Sequence, residues 1–134
     1  MNFEFSDEQK QMGAEARRYL AAKCPTSAVR AILDGPESYD RALWAGLAEM
    51  GFLGVVIPEE YGGLGLGYLE LCVIAEEMGR ALAPVPFSSS VFLATEFLLA
   101  GGSDAQKSAW LPKLAAGEAI GTFAHAERPG AVTP

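Results

Sequence analysis

The chain has 134 residues, half of them hydrophobic and one fifth charged. That supplies one core of ordinary domain size and excludes both a disordered tail and a two-domain enzyme within this span. Ten lysines and arginines against seventeen acidic residues leave a net charge of −7, so the basic face that nucleic acid or an anionic membrane surface demands is missing.

Cys24 and Cys72 stand far apart without a CxxC partner, and His125 is the only histidine. Neither a zinc site nor a disulfide framework follows. Both cysteines are expected to act as small buried hydrophobes in a reducing, cytoplasmic compartment. The N-terminus has no basic and then apolar region of signal-peptide type. The longest uncharged stretch, 81–95, is broken by Pro84 and Pro86 and falls short of the roughly 18 residues of a membrane span. A soluble protein is expected.

Ser6-Asp7-Glu8-Gln9 forms a capping box, with the Ser6 hydroxyl toward the Gln9 amide and the Gln9 side chain reaching back. The helix it opens carries Met12, Ala16, Tyr19 and Leu20 on one stripe and ends before Pro25. A shorter helix is expected over 27–33, broken by Asp34-Gly35-Pro36, and a third over 39–50, with Leu43, Leu47 and Met50 aligned and Gly51 as the left-handed stop.

Phe52-Leu53-Gly54-Val55-Val56-Ile57 reads as a short buried strand or an extended connector closed by Pro58. A glycine-rich loop follows over 59–67. From 68 to 82 the period is helical, with polar residues confined to Glu70, Glu76, Glu77 and Arg80, so a helix buried on most sides is expected. Pro84-Val85-Pro86 is a rigid link. The helix expected over 88–100 has Glu96 as its only charge and should be the most buried of the set.

Ser103-Asp104-Ala105-Gln106 is a second capping box, opening a helix with Trp110, Leu111 and Leu114 on one face. Pro112 should bend that helix or end its first part. After Gly117, residues 119–124 look like the beginning of a strand. A first strand without a second leaves its backbone groups unpartnered, so the chain is expected to stop where another domain begins. The fold class expected is all-α, a bundle of five to six helices over 1–118, followed by a linker and the first strand of a β domain over 119–134.

Among the features that could carry chemistry, Gly63-x-Gly65-x-Gly67 before a helix imitates a dinucleotide turn. The spacing is GxGxG rather than GxGxxG, and Glu59-Glu60 would repel a pyrophosphate. A tight connector between helices fits better. His125 has no nucleophile or orienting carboxylate placed with it beyond Glu127. Glu96, with Thr95 beside it and Ser88, Ser89 and Ser90 upstream, fits a solvated strip better than a pocket wall. The adjacent pairs Glu59-Glu60 and Glu76-Glu77 read as solvated charges or local caps. Residue chemistry alone thus leads to an acidic all-helical domain without a self-contained active site.

The order of segments resembles the N-terminal helical domain of flavin-dependent acyl-CoA dehydrogenases. The resemblance is carried by Phe5-Ser6-Asp7-Glu8-Gln9, by the run from Leu43 to Gly54, and by Ile57-Pro58-Glu59-Glu60-Tyr61-Gly62-Gly63-Leu64-Gly65. It continues through Ala75-Glu76-Glu77-Met78-Gly79-Arg80, Ala105-Gln106-Lys107, Trp110-Leu111-Pro112-Lys113-Leu114-Ala115 and Gly117-Glu118. The resemblance implies an enzyme about three times this length, with a central β domain, a C-terminal four-helix domain, and FAD lying between the later domains. A carboxylate base from the C-terminal part would remove the proton α to the thioester while hydride leaves the β carbon for the flavin. No residue for that step is expected in this chain, and the fragment alone is expected to be inactive.

The resemblance further implies that the two helices over 68–82 and 88–100 wall the acyl pocket, making Thr95 and Glu96 candidate substrate-binding residues. It places Phe123, His125 and Ala126 on flavin-facing positions. Here Ala126 stands where the family has a threonine, Arg128 is inserted before Pro129, and Val132-Thr133-Pro134 replaces the usual Gly-Ser-Asp. The implied partners are an acyl-CoA substrate, an electron-transfer flavoprotein-type acceptor, and further subunits in a homo- or hetero-oligomer. The alternatives are a non-catalytic dehydrogenase-like subunit of a hetero-oligomer, or a free-standing helical interaction module. Exposed apolar surface and association in solution are expected of the domain by itself.

Overall fold

A computed structural model describes residues 4–124. Six α-helices carry the fold: α1 (Asp7–Lys23), α2 (Thr26–Asp34), α3 (Arg41–Glu49), α4 (Tyr68–Arg80), α5 (Thr95–Gly101) and α6 (Asp104–Ala115). Two 3₁₀ turns, Phe52–Gly54 and Glu59–Tyr61, lie between α3 and α4, and a π-helix, Ser88–Ala94, leads into α5. No strand occurs among the described residues, in keeping with the all-α class.

Both capping boxes form. Ser6 Oγ accepts from the Gln9 amide and Gln9 Oε1 from the Ser6 amide, and Ser103 and Gln106 repeat the pattern at α6. The α4 start is held by the Glu70 side chain, which accepts from the Gly67 amide at 2.9 Å. Gln9 Nε2 also donates to the other Glu70 oxygen at 2.7 Å, so the first turns of α1 and α4 share one hydrogen-bonded chain.

The main core gathers Ala16 and Leu20 of α1, Val29 of α2, Leu43, Trp44 and Leu47 of α3, Leu71, Ile74 and Met78 of α4, and Phe87 and Val91 at the π-helix. A second cluster joins Ile57 to Leu111, Leu114 and Ala115 of α6. α1 and α4 cross closely at Gly13, where a Cβ would meet Val73 Cγ1 at 2.8 Å.

The segment 52–57 is neither strand nor extended connector. It coils as a 3₁₀ turn followed by further turns, with Gly51 at φ +77 as its left-handed entry and the Gly54 and Ile57 amides bonded three residues back. The glycine loop folds over it through Leu64 N–H to Gly54 O, Gly65 N–H to Ile57 O and Leu66 N–H to Val55 O. A Cβ on Gly63 would overlap the Ile57 carbonyl, so glycine there serves close backbone approach. This agrees with a connector between helices.

Five further expectations change. Cys24 is buried, but Cys72 is exposed, because it lies on the outer face of α4 with Tyr68 and Leu69. The most enclosed helix is α4, with Leu71, Val73, Ile74, Glu77 and Met78 buried, whereas the span 88–101 buries only Ser90, Val91 and Thr95. Glu77 is a buried charge rather than a solvated one. Residues 119–124, expected to begin a strand, form none. Pro112 sits inside α6 and does not end it, the helix running on to Ala115.

Candidate functional site

Glu77 follows the buried stripe of α4 at the spacing of Val73, Ile74 and Met78, so its carboxylate enters the α1–α4 seam and requires a partner. Arg17 supplies it in a forked pair, Nε to Oε2 at 3.0 Å and Nη2 to Oε1 at 2.7 Å, and Arg80 Nε adds a contact at 3.3 Å. Hydrogen bonding from Arg17 outweighs burial and holds the Glu77 carboxyl below its ordinary value of 4.5. Every feature of this cluster is structural: the charge is fully partnered and locks two helices.

The candidate site lies where α4, the π-helix and α5 turn apolar side chains outward. Tyr68 is 64% exposed and Phe97 52%, with Leu69 and Leu93 also exposed beside them. Across this face Tyr68 Oη donates to Glu96 Oε2 at 2.8 Å. That bond, with the charge of Glu96, pushes the Tyr68 phenol above its ordinary value of 10.0. The second Glu96 oxygen, Oε1, is buried and has no hydrogen-bond partner. An enclosed carboxylate oxygen left unmatched is costly and uncommon.

Thr95 turns the other way. It is buried at 1% exposure, and its hydroxyl donates to the Ser90 carbonyl at 2.9 Å. The Thr95 amide accompanies it on that carbonyl, in the wider i→i+5 pattern of the π-helix. Phe123 stacks on Phe97 with ring centroids 4.2 Å apart and planes 20° from parallel. The two rings, with Ala94, Trp110, Ile120 and Thr122, border a groove of about 350 Å³. His125 and Ala126 lie outside the described residues.

Sequence reasoning had singled out Glu96 and Phe123. The fold brings Tyr68 to Glu96 and Phe97 to Phe123, partners that no sequence motif marks, and Ser90 to Thr95 and Gly121. Aromatic residues at 68 and 97 were the available signal, but their neighbours are set by side-chain contacts distant in sequence. The face holds no nucleophile paired with a base, and no group of three potential metal ligands exists among the described residues. Its groove offers a largely apolar lining.

Comparison with known proteins gives this surface its context. The family model "Acyl-CoA dehydrogenase, N-terminal domain" matches residues 6–118. The chain is 48% identical over 82 residues to (2S)-methylsuccinyl-CoA dehydrogenase of Cereibacter sphaeroides, covering 60% of this chain and 15% of that protein. Its fold is similar to a chain of the ChsE4-ChsE5 complex from Mycobacterium tuberculosis, with TM-score 0.87, 30% identity, and 98% and 36% of the two chains covered. It is also similar to an acyl-CoA dehydrogenase complexed with FAD from Bacillus anthracis, with TM-score 0.83, 29% identity, and 96% and 22% covered. The chain thus spans between 15% and 36% of the length of these proteins. It belongs to the acyl-CoA dehydrogenase family, as that family's N-terminal helical domain.

Proposed function

We propose that the chain serves an FAD-dependent acyl-CoA dehydrogenase, in which an acyl-CoA thioester is oxidised between its α and β carbons. The observation that carries this reading is the uncovered apolar face of α4 and α5, ending at the Phe97–Phe123 stack, in a chain matched to the family over 6–118. An acyl chain must leave water to react, and Tyr68, Leu69, Leu93 and Phe97 offer the surface that would receive it. Of the two expected substrate-binding residues, Glu96 remains the proposed one, while Thr95 is buried and bonded inward. Thr95 would brace the helix from within, and Glu96 would present its unmatched oxygen at the pocket edge.

FAD would supply the acceptor for hydride from the β carbon. The described residues fit one wall of such a group: the flat Phe97–Phe123 stack and its groove suit the edge of an aromatic ring system. The groove lining carries no cation for a diphosphate, and Lys113 lies over the Trp110 ring at 5.2 Å. Phe123, His125 and Ala126 are the proposed flavin-facing positions. The base for the α proton and most of the cofactor site would be contributed outside these 134 residues, and this domain by itself would be inactive.

The proposed partners are the acyl-CoA, an electron-transfer flavoprotein-type acceptor and further subunits, in the cytoplasm. No described helix is long and apolar enough to cross a membrane. A second reading, a non-catalytic subunit of a hetero-oligomer, is favoured by Ala126 in place of a threonine and by likeness to a member of the two-component ChsE4-ChsE5 complex. The two readings separate on the longer polypeptide bearing this domain, expressed alone and purified. Yellow protein with flavin absorbance supports the enzyme, and a folded, colourless protein that takes up no FAD defeats it.

A further inference from the structure

The last described segment, residues 117–124, leaves the helical body without secondary structure of its own, yet it is held at successive points. Trp44 Nε1 donates to the Gly117 carbonyl, and the Ala119 amide to the Lys113 carbonyl. Further along, the Gly121 amide donates to Ser90 Oγ at 3.2 Å. Two residues later Phe123 stacks on Phe97. The first two ties lie at the end of α6. The Ser90 bond fastens the segment to the π-helix that feeds α5.

Three observations meet at Ser90. It is 1% exposed, so its hydroxyl is out of water and requires an internal partner. Its carbonyl takes both the amide and the hydroxyl of Thr95, so the wide π turn is built around this residue. Its hydroxyl takes the Gly121 amide. The fit is tight, since a Cβ on Gly121 would overlap Ala94 Cβ. The segment is therefore seated against the π-helix by one hydrogen bond and one steric limit, and only glycine meets that limit.

We propose that Ser90 is a positioning residue: by latching Gly121 it fixes the direction in which the chain leaves the helical domain, and so places Phe123 and Ala124. The inference rests on the proposed function for its consequence, the placing of Phe123 against flavin, but the latch itself is a property of this chain. The π turn has a role in this account. It carries the Ser90 hydroxyl and the small Ala94 side chain together to the exit segment.

The test uses the full-length protein that carries this domain. The variants are Ser90→Ala, the conservative Ser90→Thr, Gly121→Ala, and the double variant Ala94→Gly/Gly121→Ala, which removes the methyl that the new Cβ would strike. Two readouts are taken on each: amide hydrogen exchange at residue 121, and the dissociation constant for FAD. Ser90→Ala is expected to speed exchange at Gly121 at least tenfold and to weaken FAD at least tenfold. Ser90→Thr should restore both to within threefold, and the double variant should recover FAD affinity lost in Gly121→Ala.

Exchange and affinity unchanged in Ser90→Ala would overturn the proposal. So would faster exchange with FAD affinity within twofold of the parent, since the bond would then be merely structural. If Ser90→Ala does not fold, the Gly121→Ala pair decides: equal affinity in the single and double variants overturns it. Should the parent protein take up no FAD at all, the proposed function fails, and the exchange rate at residue 121 still decides whether the latch exists.

Discussion

The indole N–H of Trp44 donates to the carbonyl oxygen of Gly117 across 3.0 Å, joining the middle of α3 to the residue that turns the chain out of α6. Gly117 holds φ +70, and a Cβ there would stand 3.2 Å from Trp44 Nε1 and 3.1 Å from both Leu53 Cδ1 and Ala48 Cβ. Left-handed backbone and crowding thus act together. Gly117→Ala should destabilise the domain by about 1–2 kcal/mol. Trp44→Phe, which removes the donor and leaves the carbonyl unmatched, should cost about 2 kcal/mol. Urea unfolding measures both, and a loss below about 0.5 kcal/mol for Gly117→Ala would show that the turn is not constrained as described.

The Arg17–Glu77 pair makes stability depend on pH in a definite sense. The folded-state carboxyl lies below its ordinary 4.5, so the unfolded chain binds the proton more readily. The contribution is complete above the unfolded value and is lost as pH falls through the folded one. Arg17→Met removes the principal cause of the depression and leaves burial opposed only by the weaker contributions of Arg80, so the carboxyl rises. Thermal unfolding between about pH 3 and pH 7 should show the variant losing stability at higher pH than the parent. Superimposable pH profiles would contradict the assignment.

Leu82 is the one non-glycine residue with positive φ among the described residues, at +51, and its side chain is 67% exposed. Its amide bonds to Gly79 O and that of Ala83 to Met78 O, both at 3.1 Å. This is the pattern by which a helix end turns, normally at glycine. A leucine gains little there from burial and bears the left-handed cost. Leu82→Gly should raise stability by about 0.5–1 kcal/mol, read as an increase in Tm. A fall in Tm would mean that the leucine side chain contributes more than its exposure suggests.

The Tyr68–Glu96 bond has a spectroscopic consequence. With its hydrogen bond to a carboxylate, the Tyr68 phenol ionises above its ordinary 10.0. Glu96→Gln removes the charge and should move that ionisation back down, as followed by phenolate absorbance against a Tyr68→Phe control. No difference between Glu96→Gln and the parent would show that the pair does not form in solution.

Much of this architecture was legible in the amino-acid order, and the reasons differ from element to element. Ser6-x-x-Gln9 and Ser103-x-x-Gln106 announce helices through contacts three residues apart, which sequence states directly. The run 52–57 was not legible, since six apolar residues without a period suit a strand or a buried turn equally. The surrounding glycines decided the matter by letting the loop fold over it. Glu77 was read as solvated because adjacent glutamates usually are, although its place on the stripe of Val73 and Ile74 marked it as inward-facing.

The candidate site was less legible than the fold. Glu96 and Phe123 were singled out, but their partners lie far away in sequence: Tyr68 is 28 residues from Glu96, and Phe97 belongs to an earlier helix than the segment it meets. The π-helix is invisible to a search for a 3.6-residue period. It arises from Thr95 placing both its amide and its hydroxyl on the Ser90 carbonyl, a local competition that propensities do not describe.

In the proposed function this domain helps enclose the acyl group of a thioester undergoing oxidation by bound flavin. The most direct measurement is anaerobic titration of the full-length, FAD-loaded protein with short branched and straight acyl-CoA thioesters, followed by flavin absorbance. Bleaching of the oxidised flavin band by at least one of them is expected, weakened when Phe97 is replaced by aspartate. A flavin band that no acyl-CoA bleaches, in a protein that binds FAD fully, would contradict it.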